Sequence, residues 1–270
     1  MSRAALTDQE FAQFQGFIYE AAGIAMSPAK KALICGRLAK RVQQCGMPSY
    51  GDYFKLLKSG SAPVEVQTAI DLLTTNETCF FREPKHFDFL REQAMAARNS
   101  SQPFRVWSAA CSSGEEVYSI AMILADCLGT EAGAWEVIGS DISTRVLQKA
   151  RAGHYTAERT RHIPAAYLQR FCLRGIGEHQ GTLLVDRILR DRVQFMQINL
   201  NETLPRLGQF DMVFLRNVMI YFNGDTKREV VERICGVIKP NGHLCIGHSE
   251  SLNNIIDMGR SIATSVYRKK

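Results

Sequence analysis

The first 75 residues carry apolar side chains at three- and four-residue steps and no alternating run, which is the periodicity of amphipathic helices. Residues 7–10, Thr-Asp-Gln-Glu, have the form of a capping box in front of such a pattern. Ser27 and Pro28 predict the start of a second helix, because serine can cap a helix and proline suits its first position. We therefore expect residues 1–75 to form a small all-helical N-terminal domain.

From residue 104 the pattern changes to short apolar strands that alternate with helical stretches, which is typical of a parallel α/β sheet. Strands are expected at residues 104–110, 136–140, 193–198, 211–215 and 243–247, with a last one within 262–268. Helices are expected over about 115–128, after Ser143 and over about 225–238. The pattern predicts an α/β domain with a doubly wound, mostly parallel sheet over residues 91–270.

One stretch does not fit this alternation. About forty residues separate Ala152 from Val193, whereas a helix is usually linked to the next strand by about two to six residues. Residues 174–181 are rich in glycine and turn formers, and residues 181–189 have the composition of a strand. The sequence predicts a small β-subdomain inserted at about 160–192, and a plain long loop is the alternative.

The composition, with 46% hydrophobic and 22% charged residues in 270, is that of an ordinary globular protein. No apolar run approaches the roughly 18 residues of a membrane span, and the start has no hydrophobic segment of a signal peptide. We therefore expect a cytoplasmic protein without membrane insertion. The eight cysteines show neither Cys-x-x-Cys nor a histidine at zinc-finger spacing, so no metal is expected.

The charge balance suggests an anionic partner. The net charge is +6, which is compatible with nucleic acid, a membrane surface or an acidic protein. Residues 21–51 contain five lysines and arginines and no acid, and Lys30, Arg37 and Arg41 share one face of a helix. That face is either a solvated surface or a docking surface.

In open α/β sheets a ligand binds beyond the carboxyl ends of the strands, and the residues there are polar in this chain. Ser112 and Glu115 follow the first strand with capping-box spacing, which leaves the Glu116 carboxylate free. A free carboxylate opposes a pyrophosphate and suits a cationic ligand. The sequence has no Gly-x-Gly-x-x-Gly after a strand, which also argues against a nicotinamide cofactor.

Further polar residues follow the next three strands. Asp141 stands where an acid accepts hydrogen bonds from ribose hydroxyls, although a helix cap is an equal alternative. Asn199 and Asn217 are amides that could read an adenine edge, while Arg216 could bind a ligand or anchor the sheet. Together these residues describe a pocket for an adenosine that carries a positive charge, and S-adenosylmethionine is such a molecule.

Methyl transfer from such a ligand requires an aligned nucleophile and a site that excludes water. A glutamate carboxylate, with a reference pKa of about 4.3, is already ionised at neutral pH and needs no general base. His248 is the nearest candidate base, and a packing or hydrogen-bonding role is the alternative for it.

Four blocks, 73–82, 107–116, 210–222 and 247–252, closely resemble the CheR-type chemotaxis receptor methyltransferases, and the match covers the whole chain in order. The resemblance implies a class I methyltransferase-like fold behind a helical domain, with residues 76–90 as a linker that closes over the cofactor. It also implies the reaction, in which glutamate side chains of chemotaxis receptors become methyl esters and S-adenosylhomocysteine is released.

The resemblance implies roles for individual residues. Arg82 corresponds to a suspected catalytic arginine that orients the incoming carboxylate, and Tyr221 to a tyrosine beside the methyl group. The cofactor contacts implied by the family are Asn76, Thr78, Arg82, Glu116, Asp141, Asn199, Leu200, Arg216 and Asn217.

Substrate docking is implied as well. Lys30, Arg37 and Arg41 would steer acidic receptor helices. In some family members the β-subdomain binds a pentapeptide at the receptor C-terminus, and the residues that fit this type are Arg174, Gly175, the two that follow and Gly181. Leu184 stands where an arginine is expected, so peptide binding stays open. We expect a monomer that does not bind nucleic acid.

Two other functions remain to be compared. The basic charge favours a nucleic-acid methyltransferase, but residues 216–219, Arg-Asn-Val-Met, replace the Asn-Pro-Pro-Tyr type of motif that such enzymes commonly use. A module that senses S-adenosylmethionine or docks receptors without catalysis is the second alternative. The presence of Arg82 and Tyr221 argues against it.

Overall fold

The computed structural model describes residues 5–131, 133–253, 255 and 259–270. In this part of the chain five α-helices precede the first strand: α1 Asp8–Ala22, α2 Lys31–Gln44, α3 Tyr50–Lys58, α4 Pro63–Leu73 and α5 Lys85–Ala96. The first four share an apolar core, with Phe14, Ile34 and Tyr53 fully buried at its centre. The prediction that this region is helical is therefore confirmed.

Local sequence signals explain the start of α1 but not that of α2. The predicted capping box is present, because Thr7 and Glu10 each accept a hydrogen bond from the backbone N–H of the other. Ser27 and Pro28 do occupy the N-cap and the first position, but of a short 3₁₀ turn, Pro28–Lys30, that leads into α2. The Ser27 side chain makes no capping hydrogen bond.

A seven-stranded sheet forms the centre of the second domain. The strands in chain order are β1 Phe104–Ser108, β2 Trp135–Asp141, β3 His154–Thr156, β4 Cys172–Arg174, β5 Thr182–Val185, β6 Val193–Gln197, β7 Phe210–Leu215, β8 Ile238–Ile246, β9 Gly259–Ala263 and β10 Val266–Lys269. The large sheet has the order β6-β2-β1-β7-β8-β10-β9. The first five strands in this order are parallel, β10 is antiparallel to β8, and β9 is antiparallel to β10. The predicted doubly wound, mostly parallel sheet is confirmed.

Helices cover both faces of this sheet. They are α6 Glu115–Leu128, α7 Thr144–Ala152, α8 Ala165–Phe171, α9 Arg187–Arg190 and α10 Gly224–Gly236. One apolar core contains Val106 and the buried stripe of α6, and the other contains Trp107 and the apolar face of α10. Because successive residues of β1 point to opposite faces, Val106 and Trp107 are buried in different cores.

The end of the sheet differs from the sequence prediction. Strand β8 begins at Ile238 rather than at residue 243, because the turn-like residues 239–242 lie within the strand, where Asn241 has a left-handed backbone with φ 62°. The tail was expected to add one strand, but it folds back at Ser265 into the antiparallel strands β9 and β10.

The inserted β-subdomain is confirmed as a three-stranded antiparallel sheet with the order β3-β5-β4. It begins at His154, before the expected position near residue 160. The strand expected over 181–189 ends at Val185, because the Asp186 carboxylate accepts the N–H of Ile188 at 2.9 Å and starts α9. None of the helices in the described ranges is both long and apolar enough to cross a membrane.

Candidate functional site

A pocket with a volume of about 440 Å³ lies at the carboxyl ends of β1, β2, β6 and β7. Its other wall comes from the helical domain and from the segment between α4 and α5. The pocket brings together all nine residues expected to contact the cofactor, as well as Tyr221, Lys30 and Arg37. Four other predicted residues, Arg41, Arg174, Gly175 and Gly181, do not line it.

Asp141 is the last residue of β2 and is buried in the pocket wall. Its carboxylate oxygens accept hydrogen bonds from the backbone N–H groups of Ser112 at 2.9 Å and Ser143 at 3.0 Å. Burial raises the pKa of Asp141, and the N–H donors partly offset that effect. These bonds hold the carboxylate in place while further lone pairs can accept hydrogen bonds from a ligand.

The turn from β1 into α6 has left-handed backbone at Ser112, with φ 49°, and at Gly114, with φ 93°. A Cβ on Gly114 would lie 2.8 Å from the Cβ of Ala150, so only glycine fits there. The predicted capping of α6 by Ser112 and Glu115 is wrong. Gly114 is the N-cap, and the Ser112 hydroxyl instead donates to the carbonyl oxygen of Asn76 at 2.9 Å.

Arg216 directly follows β7, and its side chain is 1% exposed. Its guanidinium donates to Glu116 at 2.8 Å, to Glu83 at 2.9 Å and to the carbonyl oxygen of Arg82. The prediction that the Glu116 carboxylate is free is therefore wrong. Its second oxygen also has a partner, because the Ser108 hydroxyl donates to it at 2.7 Å. These bonds offset the cost of removing a carboxylate from water. Burial alone would raise the pKa of Glu83, but hydrogen bonding to Arg216 and its charge lower that pKa.

Amides occupy the tips of β6 and β7. Asn199 donates from its side-chain nitrogen to the carbonyl oxygen of Ala21 at 2.8 Å and to Glu202 at 2.8 Å. A contact between this amide nitrogen and an adenine edge would therefore require one of these bonds to be exchanged. Asn217 has a left-handed backbone with φ 57°, and its N–H donates to Glu250 at 2.9 Å.

The segment between α4 and α5 presents Asn76, Thr78 and Arg82 to the pocket. Arg82 is half-buried and donates to a nearby backbone carbonyl at 3.3 Å. Its neighbours Phe81 and Glu83 have φ values of 51° and 58°, which are rare for such side chains. Strained backbone of this kind is concentrated at functional sites, and here it determines the direction in which Arg82 leaves the chain.

Tyr221 lies in a short 3₁₀ turn after β7 and is held by the helical domain. Its carbonyl oxygen accepts the N–H of Ala25 at 2.8 Å, and Ile24 and Phe222 form an isolated antiparallel bridge beside it. The backbone at Tyr221 therefore depends on residues that follow α1.

The basic face of α2 is partly neutralised. Arg37 donates to the carbonyl oxygens of Leu73, at 2.8 Å, and Thr74, at 3.0 Å, where α4 ends. Arg41 donates to the buried Glu65 at 2.8 Å. The expectation that no acid compensates this face is wrong, because α4 supplies Glu65 from a distant part of the chain. Lys30 is exposed at the pocket. A docking role for these cations stays a prediction.

The residues expected to bind a peptide lie on the β-subdomain, away from the pocket. Arg174 is exposed at the end of β4. A Cβ on Gly175 would lie 2.0 Å from the carbonyl oxygen of His179, and Gly181 has a φ of 80°, so both positions require glycine for structural reasons. Their contact with a peptide stays a prediction.

Among the described residues, Glu83, His86 and His248 form the group that could offer three metal ligands, with ligand atoms within 4.8 Å of one another. The guanidinium of Arg216, 2.9 Å from Glu83, opposes a further cation there. Burial lowers the pKa of His86 to about 4, so its ring is neutral at physiological pH. The His248 ring packs against that ring at 5.1 Å between centroids, which favours the packing role over that of a base.

Three charged residues that shape the site have no signal in the sequence: Asp71, Glu83 and Arg159. Asp71 binds the start of α7, Glu83 binds Arg216, and Arg159 donates to the buried Glu115 at 2.7 Å. The partners are 73, 133 and 44 residues apart, respectively, so no local pattern could have identified them.

These features define a class, namely a doubly wound α/β protein with a ligand pocket at the carboxyl edge of its sheet and a helical domain on one side. Residues 76–268 match the family profile "CheR methyltransferase, SAM binding domain", and residues 9–74 match "CheR methyltransferase, all-alpha domain". The chain belongs to the CheR methyltransferase family. The predicted family, enzyme class and cofactor, S-adenosylmethionine, are confirmed.

Curated relatives agree with this assignment. The chain is 44% identical to the chemotaxis protein methyltransferase of Escherichia coli (strain K12), over 94% of this chain and 88% of that protein. It is 39% identical to chemotaxis protein methyltransferase 2 of Pseudomonas aeruginosa, over 97% of this chain and 93% of that protein.

Proposed function

We propose that this protein transfers the methyl group of S-adenosylmethionine to glutamate side chains of chemotaxis receptors during sensory adaptation. The products are glutamate methyl esters and S-adenosylhomocysteine. The observation that carries the proposal is the pocket at the strand tips, where the buried Asp141 carboxylate and the half-buried Arg82 guanidinium line the same cavity. One group suits an adenosine, and the other suits an incoming carboxylate.

The pocket fits the cofactor in size and chemistry. Its volume of about 440 Å³ lies within the usual range for small-molecule sites, which is about 300–1,000 Å³. We assign Asp141 to the ribose hydroxyls, because it is held by two N–H groups and keeps acceptor capacity. The other proposed contacts are Asn76, Thr78, Arg82, Glu116, Asn199, Leu200, Arg216 and Asn217.

S-adenosylmethionine supplies a methyl group on a positively charged sulfur, so that the sulfur–carbon bond breaks as a carbon–oxygen bond to the substrate forms. The chain need not remove a proton, since a glutamate carboxylate is ionised at neutral pH. The planar fork of Arg82 can hold that carboxylate in one orientation, and Tyr221 borders the same space. Beside this space, Arg216 is buried against Glu83 and Glu116, so little of these three side chains is exposed to solvent.

Substrate docking is the finer part of the proposal. Lys30 is exposed at the edge of the pocket and can attract an acidic receptor helix. Arg37 and Arg41 belong to the same surface, although internal bonds hold their guanidinium groups. On the β-subdomain, Arg174, Gly175 and Gly181 would take the receptor's C-terminal pentapeptide. The protein would act as a monomer in the cytoplasm.

Calorimetric titration with S-adenosylmethionine and S-adenosylhomocysteine tests the cofactor site. In Asp141→Ala we expect affinity for both ligands to fall by at least about tenfold, because ribose hydroxyls would lose their acceptor. Asp191→Asn is the matched control, since that carboxylate is 62% exposed and lies outside the pocket. Unchanged affinity in Asp141→Ala would refute the assignment of the ribose site.

Transfer of labelled methyl groups to receptor membranes tests the reaction. We expect base-labile label on receptor glutamates with the wild-type protein and strongly reduced label with Arg82→Ala. Cofactor binding without any label would indicate a sensing module instead. Label in added nucleic acid, with none in the receptor, would instead indicate a nucleic-acid methyltransferase.

A further inference from the structure

Helix α4 of the helical domain caps helix α7 of the α/β domain. Helix α7 begins at Thr144, and its N-cap residue, Ser143, makes no side-chain capping bond. The buried carboxylate of Asp71 takes that role, accepting the N–H groups of Thr144 at 3.0 Å and Arg145 at 3.2 Å and the Thr144 hydroxyl at 2.8 Å. A carboxylate there satisfies N–H groups without helical partners and complements the helix dipole.

The same helix also holds the peptide that follows Asp141. Gln67 donates to the carbonyl oxygen of Ile142 at 3.1 Å and to Asp71 at 2.9 Å. The Ile142 side chain packs against the apolar core of the helical domain and also lines the pocket. The loop between Asp141 and Thr144 is therefore bound to α4 at both of its ends.

We propose that Asp71 is a positioning residue for the cofactor, which acts by holding the Asp141 loop in the conformation that binds the ribose. Among the described residues, Asp71 is not one that lines the pocket, so its effect must pass through this loop. It also lies outside residues 76–268, which match the S-adenosylmethionine-binding domain. The helical domain would thus form part of the cofactor site, in addition to any docking role.

The physical reason is geometric. Hydrogen bonds weaken steeply when the donor and acceptor are misaligned, so a small rotation of the Asp141 carboxylate reduces its bond to a hydroxyl. The N–H of Ser143 is one of two donors that orient this carboxylate, and Ser143 directly precedes the residues that Asp71 binds. Loss of Asp71 frees that end of the loop. The inference rests on the proposed ribose contact of Asp141.

Calorimetry on the full chain with S-adenosylmethionine and S-adenosylhomocysteine tests the proposal. We expect Asp71→Ala to weaken both ligands about tenfold and Asp71→Asn to weaken them less, because an amide oxygen can still accept one N–H. In receptor methylation, the KM for S-adenosylmethionine should rise while kcat at saturation stays within about twofold of wild type. Ser49→Ala is the control, because it removes a cap from α3 in the same domain and should lower Tm without changing affinity.

A double-mutant cycle with Asp141→Ala separates the two proposals. If Asp71 acts through Asp141, Asp71→Ala should change affinity by less than about twofold in the Asp141→Ala background. A full tenfold effect in both backgrounds would overturn the positioning role. If Asp141→Ala weakens binding and Asp71→Ala does not, only the positioning role fails, whereas unchanged affinity in Asp141→Ala would refute the ribose contact itself.

Discussion

Replacement of Arg216 by methionine removes the cation that two buried carboxylates share. The Arg216 side chain is 1% exposed and those of Glu83 and Glu116 are each 13% exposed, with ion-pair distances of 2.9 and 2.8 Å. Removing one partner of a buried ion pair costs about 3–5 kcal/mol, because a charge is left without a partner. Methionine keeps an unbranched apolar chain, so the loss is mainly electrostatic. We expect Arg216→Met to lower the free energy of unfolding by about 3–5 kcal/mol at neutral pH.

The pH dependence follows from the carboxyl pKa values. In the wild type, Arg216 lowers the pKa of Glu83 below its reference value of 4.5, so this stabilisation is present above that pH and is lost as pH falls towards the folded pKa. In Arg216→Met, burial without a partner raises the pKa of Glu83 above the reference value. The variant therefore loses stability as pH rises through the raised pKa, and its deficit should be largest near pH 8 and smaller near about pH 5.

Urea unfolding followed by the fluorescence of the buried Trp107 and Trp135 measures this effect. With a slope of about 3 kcal/mol per molar urea, the midpoint should fall by roughly 1–2 M. Adding Glu83→Gln to Arg216→Met should recover part of the loss, since the amide carries no charge. A deficit below about 1 kcal/mol that is equal at both pH values would refute the reasoning.

Two further predictions concern the helical domain. Arg41→Ala should lower the free energy of unfolding by about 2–3 kcal/mol, because the buried Glu65 loses its ion-pair partner, and Glu65→Gln should restore much of it in urea unfolding. Gly23→Ala should cost about 1–2 kcal/mol by the same assay, because φ is 69° and the new Cβ would lie 2.7 Å from the Cγ2 of Thr226.

The outcomes that contradict these predictions are specific. If Arg41→Ala is as stable as wild type but raises the KM for receptor, then Arg41 docks the substrate and does not serve Glu65. Gly16→Ala is the control for Gly23→Ala, since a Cβ there has no neighbour within 4 Å and alanine favours a helix. Equal stability of the two alanine variants would mean that α10 moves to accommodate the methyl group.

The parallel core of the sheet could be predicted because its strands are apolar runs bounded by turns. The structure places β1, β2, β6 and β7 within two residues of the expected bounds. The start of β8 could not be predicted, because Pro240 to Gly242 have turn chemistry and form an irregularity between Ile238 and His243, which pair with β7 on either side of it. The tail hairpin was likewise hidden, since its turn at Ser265 has no Gly or Pro.

Glu116, Asp141, Asn199, Arg216 and Asn217 could be predicted to lie in the pocket because they follow strand ends, and the topology of an open parallel sheet brings those ends together. Asn76, Thr78 and Arg82 follow no strand and were implied only by the resemblance to the family. The ion-pair partners of the strand-end residues could not be predicted. Glu116 was expected to be a free carboxylate because its cation, Arg216, lies 100 residues further along the chain. The third member, Glu83, leaves the chain from a strained turn that no local pattern predicts. Sequence spacing thus identified the location of the site but not its electrostatics.

The helical domain reaches three separate strand tips. Asp71 binds the turn after β2, the carbonyl oxygen of Ala21 accepts from Asn199 after β6, and Ala25 donates to the carbonyl oxygen of Tyr221 after β7. The contacts of Ala21 and Ala25 are single hydrogen bonds worth about 1 kcal/mol each, and loss of a helix cap such as Asp71 costs about 0.5–2 kcal/mol, so losing one of these contacts leaves a folded protein. Its loss does change the direction of a side chain in the pocket, and ligand bonds depend steeply on direction. Variants at these contacts should therefore affect affinity more than stability, which distinguishes them from variants of the buried Arg216.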